Sequence, residues 1–490
     1  MAQKGRFAAL LMHGRSQSSQ PLLPSPLGDR DWLDSPPNPK AVGTISRRRL
    51  VAILASLLIL LSIGALAFSY ARTGYQRARI ISQACPSTSN NSLLVDEEQY
   101  VLGPPTDRFR DNLRNDTRYI TSWVAAGWTN DVMTYANLVY LGLITDRVPV
   151  IPPFVPSHIG SDVPPIAFGE VFDVPRLRQA VGPIVEWHEL KKPESSELED
   201  IGCWNIWQAV QFDADSPRYS VVPSWLNLDI SYTRAPDWVK MFPQFENDPH
   251  ASFWSLATLS FPETRATSLG DTQPSPQHHA SLEPDEHITC YDYLYYTSVH
   301  QPYEWETDYA PQWREVATHF RWNPRLQDIA DYYLRVTFDV LDGEDLPPYI
   351  AIHARHGDFG VYCEDRPKAD CFAPLSAFST RVQEIQLELM ERKGIEVSRV
   401  VMTSDETDPA WWDDVAALGW YRVDHDALRT VETYSKWYPV LIDAVVQSSG
   451  QGFVGTAAST MSVLACRRVE DWHHGSTRTV RWGTLDADSH

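Results

Sequence analysis

The chain has 490 residues, 43% of them apolar and 11% aromatic, with a formal charge of -21. That length provides interior for about two to four domains. The acidic balance excludes a protein built to coat nucleic acid, whose phosphates need a basic face.

Residues 1–49 include "SQSSQPLLPSPLGDRDWLDSPPNPK", a Ser/Pro-rich stretch expected to be a disordered cytosolic tail. From Leu50 to Phe68 the sequence reads "LVAILASLLILLSIGALAF", without a charge, and Ser-Tyr-Ala extends it to residue 71. That matches the roughly 20 residues a helix needs to cross a bilayer. Arg47, Arg48 and Arg49 precede it, behind Lys4, Arg6, Arg15, Arg30 and Lys40. Basic residues stay on the cytosolic side, although Arg72, Arg77 and Arg79 reduce the asymmetry. The leader is too long for a cleaved signal peptide. A signal anchor over 50–71 is therefore expected, giving a single-pass type II membrane protein of the Golgi or ER with a lumenal body.

All six cysteines, Cys85, Cys203, Cys290, Cys363, Cys371 and Cys466, follow the apolar run, as do the N-x-S/T sequons at Asn90 and Asn115. No C-x-x-C or Cys/His spacing suggests zinc, so disulfides in an oxidising compartment are expected. Sequence leaves the pairing open, but Cys363 and Cys371 are close enough for a local staple. Residues 72–118 read as a lumenal stem.

A first lobe is expected over 119–340. "YITSWVAAGWTN" opens with a short apolar run ending in a Gly-containing turn, and Val132, Ala136, Val139, Tyr140 and Leu143 recur at helical spacing. "RVPVIPP" then supplies a strand, which makes a βαβ unit. The stretch from about Pro156 to Gln312 shows little periodicity. Within it "ETRATSLGDTQPSPQHHASLEPDEH" is expected to be a surface loop. "PRLQDIADYYLRVTFDVL" forms a helix that leads out.

The second lobe is expected over 341–490. Strands "YIAIHAR", "SRVVMTSDE", "WYRVD" and "QGFVGT" alternate with helices "LSAFSTRVQEIQLELMERKG", "PAWWDDVAALG", "YSKWYPVLIDAVVQSSG" and "STMSVLACRRVEDW". This order implies a parallel sheet covered by helices. Ligands of such sheets sit beyond the carboxyl ends of the strands and at helix N-termini.

Three groups stand at such positions. Arg355 ends an apolar strand and precedes Gly357; its planar, permanently charged guanidinium suits phosphate oxygens. His353 lies two residues earlier on the same strand face. Ser459 and Thr460 open the last helix, where hydroxyls and backbone N–H groups cap the helix or hold an anion. Gly127 and Asn130 occupy the first βα turn, where glycine permits close backbone approach.

Together, "GWTND…LGLITDRVPVIPPF", "YIAIHARHGDF" and "GQGFVGTAASTMSVLACRRVEDW" resemble the GDP-fucose protein O-fucosyltransferase family, in its fungal and plant-type branch. The resemblance runs from about Tyr119 to Trp482. It implies an α/β, GT-B-like fold, two Rossmann-like lobes with a donor cleft between them, and transfer of fucose from GDP-fucose to a protein or glycan hydroxyl. It implies no cofactor and no obligatory metal. Carried over, Arg355 would be catalytic and stabilise the leaving diphosphate. Gly127, Asn130 and His353 would line the donor site, Ser459 and Thr460 would hold phosphate, and Asp443 would meet the nucleoside. The chain departs from the pattern at Trp128-Thr129, Asp131 and Met461. It lacks the turn Glu that serves some relatives as base, leaving Asp131 and Asp358 as candidates.

Three rival readings carry specific residues. Arg355-His356-Gly357 with His425-Asp426 spells a histidine phosphatase, but Asp358 would repel a phosphomonoester. Asp213-Ala214-Asp215 and Asp424-His425-Asp426 spell the D-x-D of metal-dependent transferases. An inactive nucleotide- or glycan-binding homologue is the third.

Overall fold

A computed structural model describes residues 100–490, except 161, 212, 308, 309, 342, 485, 489 and 490. The expected cytosolic tail, the span over 50–71, and the stem up to residue 99, with Cys85 and Asn90, lie outside the described residues. Among the described residues no helix is long and apolar enough to cross a membrane.

The expected βαβ unit is present. β1 (Tyr119–Ser122) is followed by helix α1 (Trp128–Thr145) and β2 (Val148–Ile151), and β1 pairs with β2 in parallel. α1 is buried on nearly every side, so an apolar stripe alone understates it. Asp146, in the left-handed conformation at φ 52°, stops the helix.

The region expected to be irregular supplies most of the first sheet. It contributes β3 (Val185–Glu186), β4 (Glu199–Asn205), β5 (Leu228–Arg234), β6 (Ala251–Ser252), β7 (Thr272–Gln273), β8 (Ile288–Tyr291) and β9 (Thr297–Ser298). Seven of the strands form one sheet in the order β3-β2-β1-β8-β4-β5-β7, parallel except for the β5–β7 pair; β6 and β9 pair separately. The long expected loop in fact contains a helix, Pro262–Ser268, and edge strand β7.

The reason lies in β4 and β5, "EDIGCWN" and "LDISYTR", which bury polar side chains. Asp229 accepts the backbone N–H groups of Gln277 and His278, and Ser231 Oγ donates to Ala280 O at 2.5 Å. Their partners come from far along the chain, so no local alternation marks these strands.

Cys203 and Cys290, both fully buried, join β4 to β8 across 87 residues. Replacing Cys203 by serine should cost about 2–5 kcal/mol of stability, because the bridge restrains a long unfolded loop. Urea denaturation of the two proteins measures the difference.

The second sheet contains β10 (Tyr349–Ala354), β11 (Arg399–Ser404), β12 (Tyr421–Arg422), β13 (Gly452–Thr456) and β14 (Ser476–Val480). Its order is β12-β11-β10-β13-β14, all parallel. Edge strand β14 was not expected. Its "STRTV" is polar because Arg478 binds Glu384 and Glu388 on the neighbouring helix.

Its helices are α2 (Pro324–Thr337, leading in), α3 (Leu375–Lys393), α4 (Pro409–Ala417), α5 (Tyr438–Ser449) and α6 (Thr460–His473). α2 ends four residues earlier than expected, where Asp339 turns left-handed at φ 55°.

β10 explains how the sheet is covered. Tyr349 and Ala351 join a core shared with α1, α5 and α6, while Ile350 and Ile352 join a second core with Val382, Ile385 and Leu389 of α3. The period of two therefore points His353 toward α6.

Candidate functional site

The site is built where β10 and β13 end. Arg355 N–H donates to Thr456 Oγ1 at 3.0 Å, and that hydroxyl donates to His353 O at 2.8 Å. Ser462 Oγ accepts Thr456 N–H at 3.0 Å and lies 2.9 Å from His353 Nδ1. The Ser462 hydroxyl thus bridges the β13 backbone and the His353 ring. Burial, followed by the positive fields of Arg355 and His356, pushes the His353 pKa down to about 3. At 4% exposure, His353 braces the floor of the site.

β13 can sit this close to α6 because Gly455 has no side chain: a Cβ there would lie 2.7 Å from Ser462 Cβ. Ala458, held left-handed at φ 66°, then turns the chain into α6. Ser459 caps that helix, its Oγ 3.5 Å from Ser462 N.

The N-termini of α1 and α6 meet. Thr460 Oγ1 donates to Asn130 Oδ1 at 2.7 Å and accepts from Thr129 Oγ1 at 2.7 Å. Two positive helix ends, each worth about half a charge, are therefore held together by hydroxyl and amide groups. Gly127 caps α1, with the His158 ring 3.0 Å from where a Cβ would stand.

The Arg355 guanidinium stands at the carboxyl end of β10, one quarter exposed. It binds Asp405 through Nη1 and Asp358 Oδ1 through Nη2 at 2.5 Å, with Phe359 5.6 Å from its centre. Asp405 also accepts His356 N–H at 2.8 Å. Gly357 makes room for Asp405, since a Cβ there would stand 2.2 Å from Oδ2. Two of the five guanidinium N–H donors are engaged, which leaves three for a ligand.

The loop that carries Asp358 and Phe359 is closed by the Cys363–Cys371 disulfide, the staple anticipated from spacing. Trp482 packs on Phe359 at 5.0 Å and donates Nε1–H to Ala457 O at 2.9 Å, tying this loop to the one before α6. Cys466 pairs with no cysteine among the described residues, and burial pushes its thiol up to about 12.

The structure thus joins Arg355, His353, Ser459, Thr460, Asn130 and Gly127 in one neighbourhood. No hydrogen bond joins Asp443 to it. Asp443 Oδ1 instead lies 3.1 Å from His425 Nε2. Burial opposes charging of His425, but Asp443, Asp424 and Asp426 outweigh it and raise its pKa.

His356 is packed, not presented. Its ring stacks on Phe372 at 4.4 Å, meets Trp411 edge-on, and bonds Glu406 at 2.7 Å. That arrangement suits a loop anchor rather than an attacking nucleophile. Asp131 is fully enclosed: Oδ1 accepts Ala126 N–H at 3.2 Å, Oδ2 has no partner, and burial holds its pKa well above the ordinary carboxylate range.

Of the D-x-D pairs, Asp213 and Asp215 are exposed, and Asp424 and Asp426 flank the engaged His425. Asp200, Asp229 and His278 place ligand atoms within 4.8 Å of one another, two of them acids that the sequence did not link to His278. They stand at the starting ends of β4 and β5, away from the carboxyl ends where the candidate site lies.

Reading the sequence missed Thr129, Asp405, Thr456 and Ser462. Asp405 follows a buried strand just as Arg355 does, so the same reasoning could have found it.

No family model matches the chain, and no curated protein matches its sequence. Among solved structures it is similar to POFUT1 in complex with GDP-fucose, at 14% identity over 75% of this chain and 98% of that one, TM-score 0.46. It is similar to POFUT1 in complex with GDP at 13% identity over 76% and 99%, TM-score 0.46. It is also similar to the fucosyltransferase NodZ from Bradyrhizobium at 14% identity over 72% and 93%, TM-score 0.35. At such identities and scores, likeness by itself assigns neither an activity nor a ligand to this chain.

Proposed function

We propose that the protein is a glycosyltransferase that moves fucose from GDP-fucose to a hydroxyl of a protein or glycan, without a metal. The observation that carries this reading is the meeting of two helix N-termini, held by the 2.7 Å Thr460–Asn130 bond, next to the end of β10 that bears Arg355, whose backbone N–H bonds Thr456 ahead of α6. Such a place favours a diphosphate, because both helix dipoles and the guanidinium act on the same negative charge. The sequence resemblance to O-fucosyltransferases supplies the sugar and the nucleotide. The lobes are 119–340 and 341–490, with the donor between them. Asp443 faces the nucleoside side, and His353 acts from beneath.

In the reaction, the bond between C1 of fucose and the β-phosphate oxygen breaks, and its electron pair leaves with GDP. The acceptor oxygen bonds C1, and its proton passes to Asp358, the exposed carboxylate that a bound phosphate displaces from Arg355. Charge grows on the β-phosphate as the bond breaks, so Arg355 and the helix ends stabilise the transition state more than the ground state. Asp358→Asn should lower kcat by about 100-fold, in line with loss of a proton acceptor. Unchanged kcat would remove Asp358 from that role.

The apolar run over 50–71, and two disulfides beyond it, support a type II protein of the Golgi or ER with a lumenal body. A thermal-shift series with GDP, UDP and their sugars tests the donor. GDP and GDP-fucose should stabilise the protein; stabilisation by UDP alone would overturn the reading. Activity that survives EDTA supports the metal-free mechanism.

One observation favours a second reading, a nucleotide-binding protein without transfer: carboxylates hold both terminal nitrogens of Arg355. GDP-fucose that binds but releases no fucose, with or without an acceptor, would establish it.

A further inference from the structure

Arg218 lies outside the network around Arg355, on the loop between β4 and β5. Its guanidinium centre is 5.0 Å from the Trp207 ring and 5.3 Å from the Tyr293 ring. Among the described residues its one side-chain hydrogen bond is a long one, Nη2–H to Ala125 O at 3.4 Å. Among the described residues no carboxylate forms an ion pair with it, although the chain has 63 acids and 42 bases.

The acids beside it are committed elsewhere. Asp292 accepts the backbone N–H groups of Ile206 at 2.8 Å and of Arg218 itself at 3.1 Å, while Asp131 accepts from Ala126. Burial raises both, Asp292 to about 7, so Asp292 carries only part of its charge at neutral pH; the Arg218 charge acts on Asp131 in the opposite sense to burial but forms no ion pair with it.

The surroundings of Arg218 are aromatic and lie at the carboxyl end of the first sheet. Trp207 is 6.1 Å from Tyr296, and Tyr293 is 6.3 Å from it. Trp207 and Tyr296 are half-buried, and neighbouring Tyr219 is 78% exposed. Ser220 Oγ donates to Val124 O at 2.6 Å, so the Arg218 loop rests on the β1–α1 turn that ends in Gly127 and Asn130. A cation that forms no ion pair with a carboxylate among the described residues, framed by rings, therefore adjoins the junction where the donor is placed.

We propose that Arg218, seated on buried Tyr293 and flanked by the half-buried Trp207 and Tyr296, binds the carboxylate of an acidic sugar, which makes the acceptor a uronic-acid-containing glycan. The guanidinium fork matches a carboxylate in two parallel bonds. The ring faces suit the apolar face of a pyranose. The word acceptor rests on the transferase reading; the binding itself does not.

The test uses the full chain in detergent, without nucleotide, with tetragalacturonate and its full methyl ester as probes. Binding is followed by tryptophan fluorescence and calorimetry. The acid should bind about 10- to 100-fold more tightly than the ester, the range expected for charge-assisted bonds. Arg218→Gln should abolish that preference, and Arg218→Lys should keep part of it; circular dichroism checks that both variants fold. Equal binding of acid and ester, binding of neither, a preference that survives in Arg218→Gln, or equal binding of tetraglutamate would overturn the proposal. GDP binding is measured on the same samples. GDP bound without tetragalacturonate sinks only this proposal, and the reverse sinks only the GDP-sugar reading.

Discussion

Replacing Arg355 by alanine should lower sugar transfer about 100-fold or more, the usual consequence of removing a preorganised donor from a developing anion. The loss should fall mainly on kcat, because the interaction strengthens as charge moves onto the leaving diphosphate. Lysine should restore little: it keeps the charge, but cannot hold Asp405 and a phosphate with one planar fork. His356→Ala separates the rival chemistry. It should weaken the loop by removing a stacked ring bonded to Glu406, yet leave more activity than Arg355→Ala. The opposite order, measured as initial rates on one donor, would return the phosphatase reading to first place.

The second large effect concerns acid stability. His353 has a folded pKa of about 3, against an ordinary value of 6.5. Between those values the unfolded chain holds a proton that the folded chain excludes, so stability rises with pH and is lost on acidification. Each unit of that window is worth about 1.4 kcal/mol. Going from pH 6.5 to pH 5 should therefore cost about 2 kcal/mol through this residue alone. His353→Asn keeps a hydrogen-bonding group beside the Ser462 hydroxyl but cannot titrate there. Its urea-unfolding free energy should fall by about 2 kcal/mol less than that of the wild type over the same interval. An unchanged acid limb would show that His353 is not the group responsible.

Much of the second sheet was legible because its strands are short apolar runs between amphipathic helices. Arg355, at the end of one such run, was legible for the same reason. The first sheet was less so: β4 and β5 carry Asp200, Asp229, Ser231 and Thr233, polar groups that look like surface until distant segments satisfy them. Thr129 illustrates the same limit. In sequence it reads as a departure from a family pattern, yet in space it donates to Thr460, 331 residues away.

By itself, then, the sequence determined periodicity, strand ends, helix starts and the short Cys363–Cys371 staple, since each is encoded within about twenty residues. Tertiary structure alone decided that Cys203 meets Cys290, that Asp405 meets Arg355, that Asp131 is sealed from any acceptor, and that Arg218 packs on the rings of Trp207 and Tyr293. These are pairings and burials between segments far apart in the chain. Their energy depends on which groups share a low-dielectric space, and no local pattern of residues records that.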